Sequence, residues 1–235
     1  MAKRLGYNER LFKGGLRAYL HNARFHNLAR AINSNKKPLH IVELGCFDGR
    51  VLDFIEPSYV TCYEGFDAGW ENGLDLAIER HGENQFFRFA KCESPESFDP
   101  VCGFNAFISL ETLEHLEEEQ LHNYLRIVTE KMDPKCFIMV SVPNEIGLIF
   151  LMKQLVKRFV FREKSGYSIK EFLQQIVGKT QNIIRDQHKG FNYRTFEDLL
   201  KVYFDITYSY GLPFRVLPRW LAFSVVFECK KRIAP

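Results

Sequence analysis

Two spacings of apolar residues alternate along this chain. Leu11, Leu16, Leu20, Phe25, Leu28 and Ile32 fall at helical intervals between Glu9 and Asn33, and the polar run NSNKKP then breaks the pattern. This predicts a leading amphipathic helix. Short apolar runs of strand length follow at 39–45 (LHIVELG), 59–66 (YVTCYEGF), 85–92 (QFFRFAKC), 104–110 (FNAFISL), 136–143 (CFIMVSVP), 203–211 (YFDITYSYG) and 222–229 (AFSVVFEC). Helical spacing separates the earlier runs at 50–55, 71–81 and 117–132. Strands that alternate with helices and are apolar on both faces predict a parallel sheet wound on both sides. The last two strands are joined only by LPFRVLPRWL, too short for a crossover helix, so the final strand is expected to run antiparallel at or near an edge.

The pattern is interrupted once, from 144 to 201, where IGLIFLMKQLVKRFVF and SIKEFLQQIVGK read as helices. These predict a helical cap outside the carboxyl ends of the strands. The chain is therefore taken as one domain, 1–235, with an N-terminal helical segment (1–36) and a cap insertion (144–201). With 235 residues, 46% of them hydrophobic, it has material for a substantial core. No run approaches the about 18 apolar residues of a membrane span, and MAKRLGYNERLFKGG lacks the apolar centre of a secretory signal. The expectation is a soluble, cytoplasmic chain.

Composition changes this picture little, but the distribution of charge adds to it. A net charge of +3 is too small to point to nucleic acid by itself. From Lys153 to Lys201, however, eleven Lys/Arg face five Asp/Glu, whereas Glu111 to Glu119 holds five acids and no Lys or Arg. IFLMKQLVKRFVFR is basic and amphipathic, a pattern used at membrane surfaces; the reading adopted is that it covers the site. The six cysteines (46, 62, 92, 102, 136, 229) show no CxxC or zinc-like spacing and are read as free thiols.

VELGCFDGRVLDFI passes from strand to helix through Gly45 and Gly49. Glycine there permits positive φ and close approach of a ligand, and ligands of wound α/β sheets sit at this end of the strands. A tight turn with no ligand is the competing reading. Asp67 follows the second strand in YEGFDAGW, where a carboxylate can accept both hydroxyls of a ribose or cap a helix. The G-x-G-x-x-G of nicotinamide-binding folds is absent.

Taken in order, IVELGCFDG, GFDAGWENGLDLA, FNAFISLETLEHL and FIMVSVPNE resemble successive motifs of class I S-adenosylmethionine-dependent methyltransferases. The resemblance implies a Rossmann-like, seven-stranded, mostly parallel sheet with an antiparallel last strand. It also implies S-adenosyl-L-methionine as cofactor. By the same resemblance Glu43 meets the amino group of the methionine moiety, the loop of Gly45, Cys46, Phe47 and Gly49 cradles that moiety, and Asp67 holds the ribose. Glu93 is the candidate for adenine, and Leu110, at the exit of the fourth strand, completes the set. Phe47 replaces the middle glycine usual in these enzymes.

Glu111, Glu114 and His115 end the fourth strand in ISLETLEHLEEEQL. Glu-x-x-Glu-His at this place resembles ubiquinone-biosynthesis O-methyltransferases and small-RNA 2′-O-methyltransferases. In the latter the three residues and a distal histidine hold a divalent metal that binds the acceptor hydroxyls; His188 is the matching candidate here. The set Glu111, Glu114, His115 and His188 suits Mg, Mn or Zn. The plainer reading makes Glu114 a first-turn acid and His115, with Glu111, the catalytic residue without metal. His21, His26, His40, His81 and His122 are read as structural. Tyr167, Phe191 and Tyr193 are candidates for stacking on a ring.

The segment HKGFNYRTFEDLLKVYFDITYSYGLPFRVLPRWL resembles methyltransferases associated with cell-surface polysaccharide, which points to a small-molecule or glycan hydroxyl as acceptor. RNA ribose is the second choice, and a non-catalytic binding protein of the same fold is the third.

Overall fold

A computed structural model describes residues 14–35, 37–160, 162 and 165–232. Its elements are helix α1 (Gly15–Asn35), strands β1 (Leu39–Leu44) and β2 (Val60–Asp67), helix α2 (Gly73–His81), strands β3 (Phe87–Lys91) and β4 (Phe104–Leu110), helix α3 (Glu118–Lys131), strand β5 (Met132–Pro143), helices α4 (Gly147–Phe159), α5 (Ile169–Val177) and α6 (Tyr193–Tyr203), and strands β6 (Phe204–Leu212) and β7 (Ser224–Lys231). The leading helix expected from Glu9 is seen from Gly15; its first predicted residues, 9–13, lie outside the described residues.

The seven strands form one sheet in the order β3-β2-β1-β4-β5-β7-β6. The β1–β2, β1–β4, β2–β3 and β4–β5 pairs are parallel, whereas β7 pairs antiparallel with both β5 and β6. The predicted antiparallel last strand is therefore present, placed between β5 and β6 with β6 at the edge. The period of two along each strand divides the core. Val42, Leu44, Phe107, Ile138 and Val140 face α3 and α6 through Leu121, Leu125, Val128, Phe196 and Leu200. Ile41, Ala106, Ile108, Met139 and Val226 face α1 through Phe25, Leu28 and Ile32.

Two predicted helices are shorter than expected. The segment 50–55 is a single 3-10 turn, Arg50–Asp53, because Glu56 and Pro57 leave no room for further turns. α2 starts at Gly73, since Glu71 and Asn72 lie in the left-handed region and cannot propagate a helix. In the cap, α4 and α5 pack together, with Phe150 against Tyr167 and Phe172 at centroid distances of 5.0 and 5.3 Å. α6, included in the predicted insertion, instead buries Phe196 and Leu200 in the main core. No helix among the described residues is long and apolar enough to cross a membrane, and all six cysteines are free.

Candidate functional site

β1, β2 and β4 end side by side, and their exits place the predicted residues. The Gly45 and Cys46 amides donate to the Phe66 carbonyl at 2.7 and 3.2 Å, tying the β1 exit to β2. Gly45 has φ +85°, and a Cβ built on it would lie 1.9 Å from Thr112 Oγ1. The turn after β1 thus leaves no space for a side chain because the turn after β4 occupies it. Phe47 also has positive φ, +46°, which costs a non-glycine residue about 1–2 kcal/mol. Its amide donates to Asp67 Oδ2 at 2.9 Å. Its ring fills the space over Gly73, where a Cβ would lie 2.5 Å from Phe47 Cδ2. The departure from glycine at 47 is therefore matched by a glycine at 73.

Asp67 accepts the Gly69 amide through Oδ1 at 2.7 Å. Each oxygen of this carboxylate has one backbone partner and retains acceptor capacity. Gly49, φ +67°, caps the following 3-10 turn. Asp48 is buried and pairs with Arg50 and Arg80 at 2.6 and 3.1 Å, fixing the loop to α2. Glu93 is placed differently: it lies at the surface beyond β3, paired with Lys91 at 2.9 Å. Leu110 is buried at the β4 exit.

Glu43 is buried and accepts the Tyr63 hydroxyl at 2.5 Å. Burial pushes its carboxyl up to about 8, with Asp48 and Asp67 adding to the effect and the Tyr63 bond opposing it. An acid raised in the folded state stabilises the fold fully below its unfolded pKa and loses that contribution as pH rises through the folded value. The cofactor-free protein should therefore lose up to about 5 kcal/mol between pH 4.5 and 8 from this residue. Thermal melts across that range check it: the Glu43→Gln variant should give the flatter curve, and two parallel curves would refute the assignment.

The acidic turn after β4 is enclosed. Glu111 has φ +56°, a strained backbone for a glutamate, and its amide donates to the Ser141 carbonyl at 2.8 Å. Its carboxyl is raised by burial, offset by Arg24, Lys153 and a hydrogen bond with Ser224. Glu114 is completely buried, neither carboxylate oxygen has a hydrogen-bond partner among the described protein atoms, and burial followed by the Glu111 charge holds its carboxyl well above the usual range. His115 Nε2 lies 3.8 Å from Glu114 Oε1. The His115 and His188 rings meet edge to face at 4.7 Å, and His188 Nδ1 is buried without a partner. Burial drives both imidazoles below their ordinary pKa, His188 to about 4.

Glu114, His115 and His188 each offer one ligand atom, all within 4.8 Å of one another. The cap thus brings His188, singled out by the resemblance to the small-RNA enzymes, to the β4 turn. Glu111 stands outside that group, facing Ser224, Arg24 and Lys153. Sequence reasoning missed three cations. Arg24 of α1 is enclosed with its charge beside Glu111, Glu114 and Glu43. Lys153 pairs with Glu145 at 2.8 Å. Arg185 Nη2 donates to the Glu114 carbonyl at 2.5 Å. No motif marks Arg24, because a single arginine in a long helix carries no signal of what it will face.

Of the other histidines, His40 meets Glu64 at 2.8 Å and His122 the Tyr203 hydroxyl at 2.6 Å, while His81 stands 3.6 Å from Asp53. The stacking candidates do not form a platform. Phe191 and Tyr193 are core residues, and Tyr167 packs on Phe150 and Phe172. Packing is the competing expectation in a chain with 22 Phe, where most aromatics must be core.

The backbone matches solved methyltransferase structures along nearly its whole length. An S-adenosylmethionine-dependent methyltransferase from Clostridium acetobutylicum ATCC 824 superposes with a TM-score of 0.65 at 12% identity, covering 96% of this chain and 98% of that one. The chain has the class I methyltransferase fold. N-methyltransferase NodS from Bradyrhizobium japonicum WM9, in complex with S-adenosyl-L-homocysteine, gives 0.60 at 11% identity over 96% of each chain. The small RNA methyltransferase HEN1 gives 0.65 at 16% identity, over 100% of this chain and 27% of that one. No protein-family model and no curated protein matches the sequence. Within this methyltransferase fold the glycine turn and Asp67 occupy the β1 and β2 exits, and the acidic turn occupies the β4 exit.

Proposed function

We infer that this protein is an S-adenosylmethionine-dependent methyltransferase acting on a hydroxyl oxygen of a small molecule or glycan. The observation that carries the reading is the juxtaposition at the strand exits of a side-chain-free glycine turn and Asp67 with the partnerless carboxylate of Glu114 and ring nitrogen of His188. Buried polar atoms without partners are rare and call for a ligand.

By the resemblance Glu43 would meet the cofactor's amino group, the Gly45–Gly49 backbone its methionine chain and Asp67 its ribose; the positive φ of Gly45 and the remaining acceptor capacity of Asp67 support this fit. The donor set of one carboxylate and two imidazoles fits a divalent cation, held by Glu114, His115 and His188. Such an ion, when bound, lowers the pKa of a coordinated hydroxyl. The chain's own contribution is orientation and proton handling. Without a bound ion His115, about two-fifths exposed at its side chain and held below its ordinary pKa by burial and Arg185, is the residue to take the acceptor proton; with the ion bound, its ring would serve as a ligand instead. Glu111, held between Ser224 and Arg24, orients the acceptor beside it. Bringing acceptor oxygen and methyl within about 3–3.5 Å is the main demand of an in-line displacement.

Calorimetry with S-adenosylmethionine tests the first step. Binding in the micromolar range supports the reading, and no heat at millimolar cofactor would leave a non-catalytic binding protein of this fold. Transfer that survives exhaustive chelation would remove the metal while leaving the enzyme. RNA ribose remains the second acceptor, favoured by the resemblance of Glu-x-x-Glu-His plus His188 to the small-RNA enzymes; a panel of glycans and 3′-terminal oligonucleotides separates the two.

A further inference from the structure

α4 and α5 were expected to cover the site, yet much of their apolar surface points away from it. On α4, Leu148, Met152, Leu155, Val156 and Phe159 share one stripe at helical spacing and are 45–76% exposed. On α5, Ile169, Leu173 and Val177 form a second stripe, 58–84% exposed. Only Phe150 of α4 and Gln175 of α5 are buried. Scattered single apolar residues need no explanation, but two adjacent stripes of large side chains do.

The charges around these stripes indicate what covers them. Lys157, Arg158, Arg162, Lys170 and Lys179 are exposed and have no acidic partner among the described residues. Glu171, the acid of α5, is paired with Lys189 at 2.9 Å. A second copy would set one basic face against another. At the foot of the stripes, Leu148 and Val177 also line a cavity of about 200 Å³ with Arg194 and Trp220, and Trp220 is half exposed. Guanidinium, indole and aliphatic side chains together suit the boundary between lipid headgroups and acyl chains.

We propose that the α4–α5 face docks on the surface of an anionic lipid bilayer, its apolar stripes entering the headgroup boundary and its basic residues meeting the lipid charge. The docking is peripheral and does not depend on the methyl-transfer reading. Vesicle sedimentation with the full chain tests it, using phosphatidylcholine vesicles with and without about one-third phosphatidylglycerol. The protein should partition to the anionic vesicles and weakly to the neutral ones, and added salt should release it. The Phe159→Asp/Ile169→Asp variant should lose at least about tenfold in partitioning. Lys157→Glu and Arg158→Glu should each lose about fivefold or more. Thermal melts on the same samples report on the fold, and each variant should unfold in a transition like the wild type's. Equal, low partitioning of the folded wild type to both vesicle types would overturn the proposal. So would a wild-type dimer at micromolar concentration that becomes monomeric in Phe159→Asp/Ile169→Asp, which would assign the face to a second copy.

Discussion

Glu114→Gln should lower methyl transfer by about 10²–10⁴-fold while raising the melting temperature of the metal-free protein. Both effects come from one fact. Two carboxylate oxygens lie in a fully buried position without a donor, next to the carboxylate of Glu111. Leaving a charged group buried and unpaired costs more than about 1–3 kcal/mol, and in a chain of this size each kcal/mol is worth about 2–4 °C. The substitution removes the like-charge repulsion and leaves the volume unchanged, so a gain of several degrees is expected. Stability held in reserve at a site is commonly exchanged for activity. Activity assays and thermal melts on the same variant check both sides: near-normal transfer would remove Glu114 from the site, and a large fall in melting temperature would show that the carboxylate has structural partners.

Gly45→Ala should abolish cofactor binding at concentrations that saturate the wild type. At φ +85° the alanine is strained before any contact is counted, and its Cβ would lie 1.9 Å from Thr112 Oγ1. The backbone must shift, and it carries the two amides that bond the Phe66 carbonyl. Strain of about 1–3 kcal/mol directed at the cradle corresponds to as much as about a hundredfold in affinity. Calorimetry on Gly45→Ala and on Gly45→Ala/Thr112→Gly distinguishes clash from strain, because removing the Thr112 side chain, whose Oγ1, Cγ2 and Cβ all crowd the site, relieves only the former. Wild-type affinity in the single variant would mean that the loop is not the cradle.

The strands were legible because apolar runs buried on both faces leave little alternative to a parallel sheet, and each predicted strand from 39–45 onward is present within a few residues of its expected bounds. The place of β7 was less legible. Loop length dictates its direction but not which neighbour it takes. The turn after β4 stood out as Glu-x-x-Glu-His and His188 by the resemblance to the small-RNA enzymes; the structure brings Glu114, His115 and His188 together and leaves Glu111 apart. Arg24 was not, because its role depends on α1 lying across the sheet and bringing a guanidinium to three carboxylates. Glu93, at the surface against Lys91, and the packed rings at 167, 191 and 193 show a related point: residue type suggests a contact, but exposure and packing decide what a side chain meets.

The position of β7 also orders events during synthesis. β5 pairs with β4 and β7, and β6 pairs with β7 alone. Residues 204–212 therefore have no native sheet partner until residues 224–231 have been made, and β7 then sits as a wedge between β5 and β6. Ser224, the first residue of that wedge, is the hydrogen-bond partner of Glu111. The hydrogen bonding at the β4 exit thus depends on a segment translated after the other six strands of the sheet.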